Sequence, residues 1–557
     1  MKTKFKLLWA FSTLLLLINT SCEKEYLQEE TTSFVSPDQL LVNEEGAEIY
    51  VIGAYDAIRV LASSFDGWLS MWGTLGADEI VAPNWGTDSK EIYLQSVSPS
   101  NATIRTIWEN LYESVNKINS VVDRLSAMTS EQINDERKNK LIGEAKFLRA
   151  TLYFALVTTW EHIPLVDSET TDINDLFVSQ DNNGDGTIDN ADTKLIYDLI
   201  EADLLFSESV LDAMQGQGRA TKGAAQALLA KVYLQMTGFP LFEHNKFALA
   251  EAKLQEVIDS GVYQLETLYP DVFSIENEQN NEMVFAIGFD GPGLNQGGKL
   301  GTFYGPLGNT ENGGQAGNNW FVNWELAGDS QSNANGGSGS WGARNNFAFA
   351  QGYQEDDIRC RNNIAKHRVN EPQGWTPYDG LYNATARKPQ VAWRRATWKP
   401  WKWHNIRPSN WGTDTPFDQP YIRYADVLLM YAEAKNGQGI LTQSDVDNTV
   451  NLLRGRARVF PDGVIMPDTV APDMVLGAQQ ANADEILSER RKELCFEGWR
   501  RNDLIRFGKY AQAVSVTQPV WSNSGNPATQ YSDFEIRWPI PASELLINPN
   551  LIQNPDY

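Results

Sequence analysis

The chain has 557 residues, 42% of them hydrophobic, and sets 72 acidic side chains against 46 basic ones for a formal net charge of −26. That length supplies a large core and ordinarily more than one domain, and the acidic balance excludes the extended basic face that phosphate backbones require, so no nucleic-acid partner is expected. With three cysteines in all, a disulfide-built fold is excluded as well.

At the N-terminus, Lys2, Lys4 and Lys6 precede an almost unbroken apolar stretch, Leu7 to Ile18. This is too short to span a bilayer and suits a signal-peptide core. "INTSC" follows, with Cys22 where a bacterial lipoprotein signal places its acylated cysteine. Residues 1–21 are therefore expected to be a lipoprotein signal peptide, 22–36 a lipidated tether and 37–557 the folded domain. Two or three acyl chains on Cys22 would hold the protein to a membrane, since each buried methylene contributes about 0.8 kcal/mol. No later stretch approaches eighteen apolar residues, so the expected state is anchored rather than spanning.

Helical periodicity dominates from there. In "LIGEAKFLRATLYFAL" the residues Leu141, Ala145, Leu148, Leu152 and Leu156 form one stripe, as do Ala225, Leu229, Val232 and Met236 in "AAQALLAKVYLQM". Helices are predicted near 38–62, 102–128, 133–159, 193–214, 219–237, 245–259, 422–436, 444–458 and 484–508. Small residues alternate with Leu and Tyr, which suits close helix packing in pairs, so the predicted class is mainly α with a tetratricopeptide-like repeat scaffold. The scaffold is expected over 37–261 and 421–557.

Within it, "DNNGDGTIDNAD" has the spacing of a calcium loop. Asp181, Asn183 and Asp185 take positions 1, 3 and 5, Gly186 the turn, Thr187 position 7, Asp189 position 9, and Asp192 closes the loop at 12. A structural Ca2+ is the expected cofactor, with an Asp-Asn-Gly turn as the plain alternative.

Between about 262 and 420 the helical signal fades into Gly, Asn and Ser punctuated by aromatic residues, a composition read as long ordered loops with short strands. Trp320, Trp324 and Trp341, with Tyr304 nearby, are candidate ligand contacts there. The segment "WRRATWKPWKWHNIRPSNW" is read chiefly as core, with Trp401 and Trp403 on one face of a strand. Its basic residues, with Arg387 and Lys388 just before them and Lys402 among them, would suit an anionic ligand if exposed. Of the chain's 18 tryptophans, most are expected to be structural. His162, His244, His367 and His404 show no zinc spacing, no nucleophile elbow or phosphate loop occurs, and no catalytic residue is predicted. Cys495 fits a small core residue, and a 360–495 bridge stays open beside that.

Five ordered stretches, "GEAKFLRATLYFALVTTWEHIPLV", "GRATKGAAQALLAKVYLQMTG", "YIRYADVLLMYAEAKN", "ILSERRKELCFEGWRRNDLIRFG" and the ending "WPIPASELLINPNLIQNPDY", resemble the SusD/RagB family. These are glycan-binding outer-membrane lipoproteins of Bacteroidetes. One departure is Glu161-His162, where that family commonly has a glycine-containing turn. The resemblance implies a helical scaffold with a loop-rich binding face, and a non-enzymatic lid that passes oligosaccharide to a TonB-dependent, SusC-like transporter. It also implies that the loop "ADEIVAPNWGTD" offers Trp85 as an aromatic platform, with Asn84 and Asp88 as companions. Glu23, Lys24 and Glu25 after Cys22 resemble a surface-export tag, so the expected location is the outer face of the outer membrane. An indole face stacks on a sugar's apolar face while neighbouring polar groups bond its hydroxyls. The alternatives are a lid for a non-glycan nutrient such as peptide, and a surface glycoside hydrolase.

Overall fold

The computed structural model describes residues 36–62, 67–81, 87–214, 218–290, 296–298, 321–322, 353, 357–365, 399–400, 402, 416–516 and 531–557. The first five main helices each start at a side chain that satisfies free backbone donors. Asn43 caps α1 (Glu44–Ala57), Asn101 caps α2 (Ala102–Ala127) and Asn134 caps α3 (Asp135–Trp160). Asp189 and Asp192 form a reciprocal capping box at α4 (Asn190–Val210), and Thr221 caps α5 (Lys222–Met236). Then come α6 (Lys246–Asp259), α7 (Tyr424–Gly437), α8 (Gln479–Leu494) and α9 (Arg500–Arg506).

The order of packing is the order of the chain. α2 lies on α3, α3 on α4, α4 on α5, α5 on α6, α6 on α7 and α7 on α8, while α1 covers α2 and α3. This is the expected tetratricopeptide-like stack. The single stripes predicted for α3 and α5 are too narrow, because α3 is buried on nearly all sides from Leu141 to Val157 and α5 throughout Gly223–Met236. Helices sandwiched on several sides need apolar or paired residues all round.

The helix predicted over 484–508 is broken. α8 stops at Leu494, Phe496 and Gly498 take left-handed backbone (φ 64° and 89°), and α9 restarts at Arg500. Gly498 is required there for a second reason, since a Cβ on it would lie 2.6 Å from Leu69 Cβ; in turn a Cβ on Gly73, in the π-helix Leu69–Leu75, would lie 1.7 Å from the Gly498 carbonyl oxygen, so the two segments approach this closely only with glycine at both places. The other departure lies at the end of α3. Glu161 has φ 65°, a conformation that favours glycine and accounts for the turn composition expected at this point. Its carboxylate faces Arg537 at 3.2 Å.

Six short strands make three antiparallel two-stranded ladders: β1 (Ile80–Val81) with β3 (Phe321–Val322), β2 (Met283–Ile287) with β6 (Gln419–Arg423), and β4 (Ile364–Ala365) with β5 (Lys399–Pro400). The six described tryptophans, Trp68, Trp72, Trp108, Trp160, Trp499 and Trp538, are all buried. They pack edge to face, Trp72 on Trp538 at 5.1 Å and Trp108 on Trp160 at 5.1 Å. Cys360 and Cys495 are both buried and form no disulfide, which removes the bridge and leaves the core role. Among the described residues no helix is long and apolar enough to cross a membrane.

Replacing Gly73 by alanine is expected to destabilise the protein by about 1–3 kcal/mol, the usual cost of overpacking. Urea denaturation measures it; an unchanged midpoint would show that the Gly73–Gly498 approach is not tight.

Candidate functional site

Long loops need rigid roots, and the roots here are held by charge. Asp78, just before β1, is fully buried and is gripped by Arg500 through Nε at 2.7 Å and Nη2 at 3.0 Å, while Arg491 donates to its carbonyl at 2.7 Å. Burial alone would raise its carboxyl, but Arg491 and Arg500 pull it below the usual carboxylate range. The next residue, Glu79, accepts only the Phe496 amide at 3.0 Å, and burial pushes its carboxyl up to about 8.

A second group fastens the later segments to the same corner between α8 and α9. Arg423, at the end of β6, donates to Glu282, Glu493 and Glu497. Arg456 bridges Glu282 and Glu493, and Arg359 joins Asp357, Glu489 and Glu493. Burial would raise Glu493, yet Arg456, Arg423 and Arg359 bring it down to about 2. Asn363, beside β4, donates to the hydroxyls of Tyr269 and Tyr353 at 3.0 Å each.

Lys402 completes the group. It is buried, in keeping with the core reading of its segment, so the condition for a surface cation is not met at this residue; it donates to the carbonyls of Glu493 (3.1 Å) and Cys495 (3.0 Å) and to the Glu497 carboxylate. A buried ammonium needs such acceptors, and the α8–α9 break supplies them. Sequence inspection missed Asp78, Glu79, Arg359 and Lys402 as anchors; the one signal was the Asp-Glu pair beside the Trp85 loop.

These roots carry the β1–β3 ladder. Val81 pairs with Phe321 and Ile80 with Val322. The chain leaving β1 towards Trp85 and the chain arriving from Trp320 thus meet at one end of the ladder, with Trp324 two residues beyond the other end of β3. Trp85, Trp320, Trp324, Trp341, Tyr304 and Asn84 themselves lie outside the described residues, as do Trp401, Trp403, Arg387, Lys388 and Cys22. Asp88 is described: it opens the helix Thr87–Leu94, half-buried, and its carbonyl accepts Asn101 Nδ2 at 3.0 Å.

The 181–192 loop turns through Gly184 and Gly186 at positive φ (73° and 88°), as its spacing requires. Asp181 accepts the amides of Gly184, Asp185 and Gly186, and Asp192 those of Asn183 and Asp189. Asp185 accepts the Thr187 amide. All six predicted ligand residues are thus gathered in one short turn, and its carboxylates bond its own backbone. Among the described residues no three His, Cys, Asp or Glu side chains converge as a metal site.

Comparison with known proteins agrees with this architecture. The SusD family model matches residues 281–557, and a second model, described as starch-binding associating with outer membrane, matches residues 74–234. SusD-like protein P25 of Formosa agariphila is 25% identical over 568 residues, covering 96% of this chain and 95% of its own. A solved SusD homologue from Bacteroides thetaiotaomicron matches with a TM-score of 0.73 at 22% identity, covering 95% of this chain and all of its own. A laminarin-binding SusD-like protein matches at 0.66 and 23%, covering 92% of this chain and all of its own. At these identities the two structures speak for the fold. The chain belongs to the SusD/RagB family.

The raised carboxyl of Glu79 fixes a pH dependence. Its folded value, about 8, exceeds the ordinary 4.5, so the stability it contributes is whole below about 4.5 and is lost as pH climbs to about 8. Glu79→Gln is expected to flatten the fall in stability across that window and to be more stable than wild type at about pH 9. Thermal melts across the range decide it; parallel curves for the two proteins would rule out a buried protonated Glu79.

Proposed function

We propose that this chain is a lipid-anchored, surface-exposed lipoprotein of the outer membrane that captures an oligosaccharide or polysaccharide and hands it to a TonB-dependent, SusC-like transporter. It acts as a binding protein and not as an enzyme. The observation that carries this reading is the β1–β3 ladder, which joins the two tryptophan-bearing loops on a scaffold of the SusD family. Support for glycan as the ligand comes from the starch-binding description of the model matching 74–234 and from the laminarin-binding structural neighbour. The burial of Lys402 removes one cation from the basic run and favours a neutral glucan over an anionic one.

Each indole stacked on a sugar ring contributes about 0.5–1.5 kcal/mol. Trp85→Ala and Trp320→Ala are therefore each expected to weaken retention on gels cast with laminarin or starch by about twofold to tenfold. Equal retention of variants and wild type would remove the platform; retention of peptides instead of glycans would favour the peptide-lid alternative, and release of reducing sugar the hydrolase.

The 181–192 loop is proposed to take Ca2+ through Asp181, Asn183, Asp185, Thr187, Asp189 and Asp192. Its all-oxygen donor set and its two left-handed glycines support this. Since a ligand that binds only the folded state raises stability, Ca2+ is expected to raise the melting temperature and EDTA to lower it in calorimetry. A melting temperature indifferent to both would leave the loop a plain hydrogen-bonded turn.

A further inference from the structure

The segment that follows α3 runs extended across α2 and α3, and its backbone is pinned by their side chains. Val166 has its carbonyl bonded by Tyr153 Oη (2.7 Å) and Asn119 Nδ2 (2.8 Å), and Asp167 has its carbonyl bonded by Arg149 (2.7 Å). The Glu169 amide donates to Asp123 (2.7 Å) and that of Thr170 to Asn116 (2.8 Å). Facing this wall is a second one, fixed from the C-terminal segment: Asn550 Nδ2 donates to the Phe177 carbonyl at 2.6 Å and Asn548 Nδ2 to that of Val178 at 2.9 Å. Between them is a cavity of about 320 Å3. Ligand pockets start at about 300 Å3, which is room for one or two sugar rings.

With both backbones held, the side chains face the cavity unspent. Asp167 and Asp175 are exposed, and their carboxylates accept no hydrogen bond from the described residues. Ser168 is exposed beside them, and the Phe177 ring is 39% exposed at the edge. Glu169, the third carboxylate of the lining, is already neutralised by Arg124 at 3.0 Å. Arg149 interacts electrostatically with Asp167, but neither carboxylate is hydrogen-bonded by a described residue; the pair disfavours an anionic ligand and bonds best to a molecule rich in O–H donors. An aromatic ring at the rim asks that molecule for an apolar face. Walls fixed before binding lose little freedom when it arrives.

We propose that this cavity is a second saccharide subsite, on the helical side of the molecule and distinct from the tryptophan loops, taking an uncharged sugar residue. Phe177 stacks on the ring while Asp167, Asp175 and Ser168 hold its hydroxyls. The proposal rests on the glycan-binding reading given above. The test is calorimetric titration of the full-length protein in detergent with laminaribiose, maltose and glucuronic acid. Two classes of site are expected for a neutral disaccharide. Phe177→Ala is expected to weaken one of them by about threefold to tenfold. The double variant Asp167→Asn with Asp175→Asn is expected to weaken the same class, and Trp85→Ala the other. Because the three altered residues are exposed, the variants keep the wild-type melting temperature. Binding of laminaribiose or maltose that ignores both sets of variants, or a preference for glucuronic acid, would overturn the subsite while leaving the glycan reading standing. Absence of any sugar binding by the wild-type protein would overturn both.

Discussion

The structure depends on one constraint: charges taken out of water must be paired, and among the described residues most of the buried ones meet around the corner between α8 and α9. Arg490 lies between Asp503 and Asp426, Lys231 joins Asp426, Arg500 grips Asp78, and Arg423 links Glu282, Glu493 and Glu497. Replacing such a lattice by apolar residues of similar volume is often neutral for stability, whereas removing one member costs about 3–5 kcal/mol. Its contribution is therefore to specificity of arrangement. Fork-shaped guanidinium groups accept only a narrow range of positions for their carboxylates, so the corner dictates where Asp78, Asp357, Lys402 and Arg423 sit, and with them the strands that carry the loops.

That division of labour suits a binding protein. The helical stack is made rigid by burial on several sides, and the three short ladders are too small to be stable alone. They persist because their ends are tied to the stack. Variation of loop sequence on fixed roots can then change what is bound without changing the fold.

Much of this was legible in the sequence, for physical reasons that differ by element. α2 to α7 were recognisable from long runs at helical spacing, and α2 to α5 also follow Asn, Asp or Thr caps; these signals are local. The break at Phe496–Gly498 was not, since "ELCFEGWRR" keeps helical charge spacing across it and the need for glycine at 498 arises from its left-handed backbone and from Leu69, more than 400 residues earlier. The partners of Lys402 were hidden for a similar reason: these acceptors come from residues 493–497, although the tryptophan-rich stretch around it is itself read chiefly as core. The charged residues of "ERRKELCFEGWRRND" link neighbouring helices, and Arg359, Lys402 and Asp78 reach them from segments that local spacing does not connect. For the proposed platform, sequence supplied the candidates, and the β1–β3 pairing is the observation on which the proposal draws.

The buried tryptophans have a consequence for spectroscopy. Six indoles sealed in the interior form a set of chromophores that solutes do not reach, so iodide or acrylamide added to the folded protein should leave a large unquenched emission from them. Any quenching by a sugar would then arise elsewhere, among the tryptophans outside that set, and the fraction of light it removes would count how many rings a guest covers.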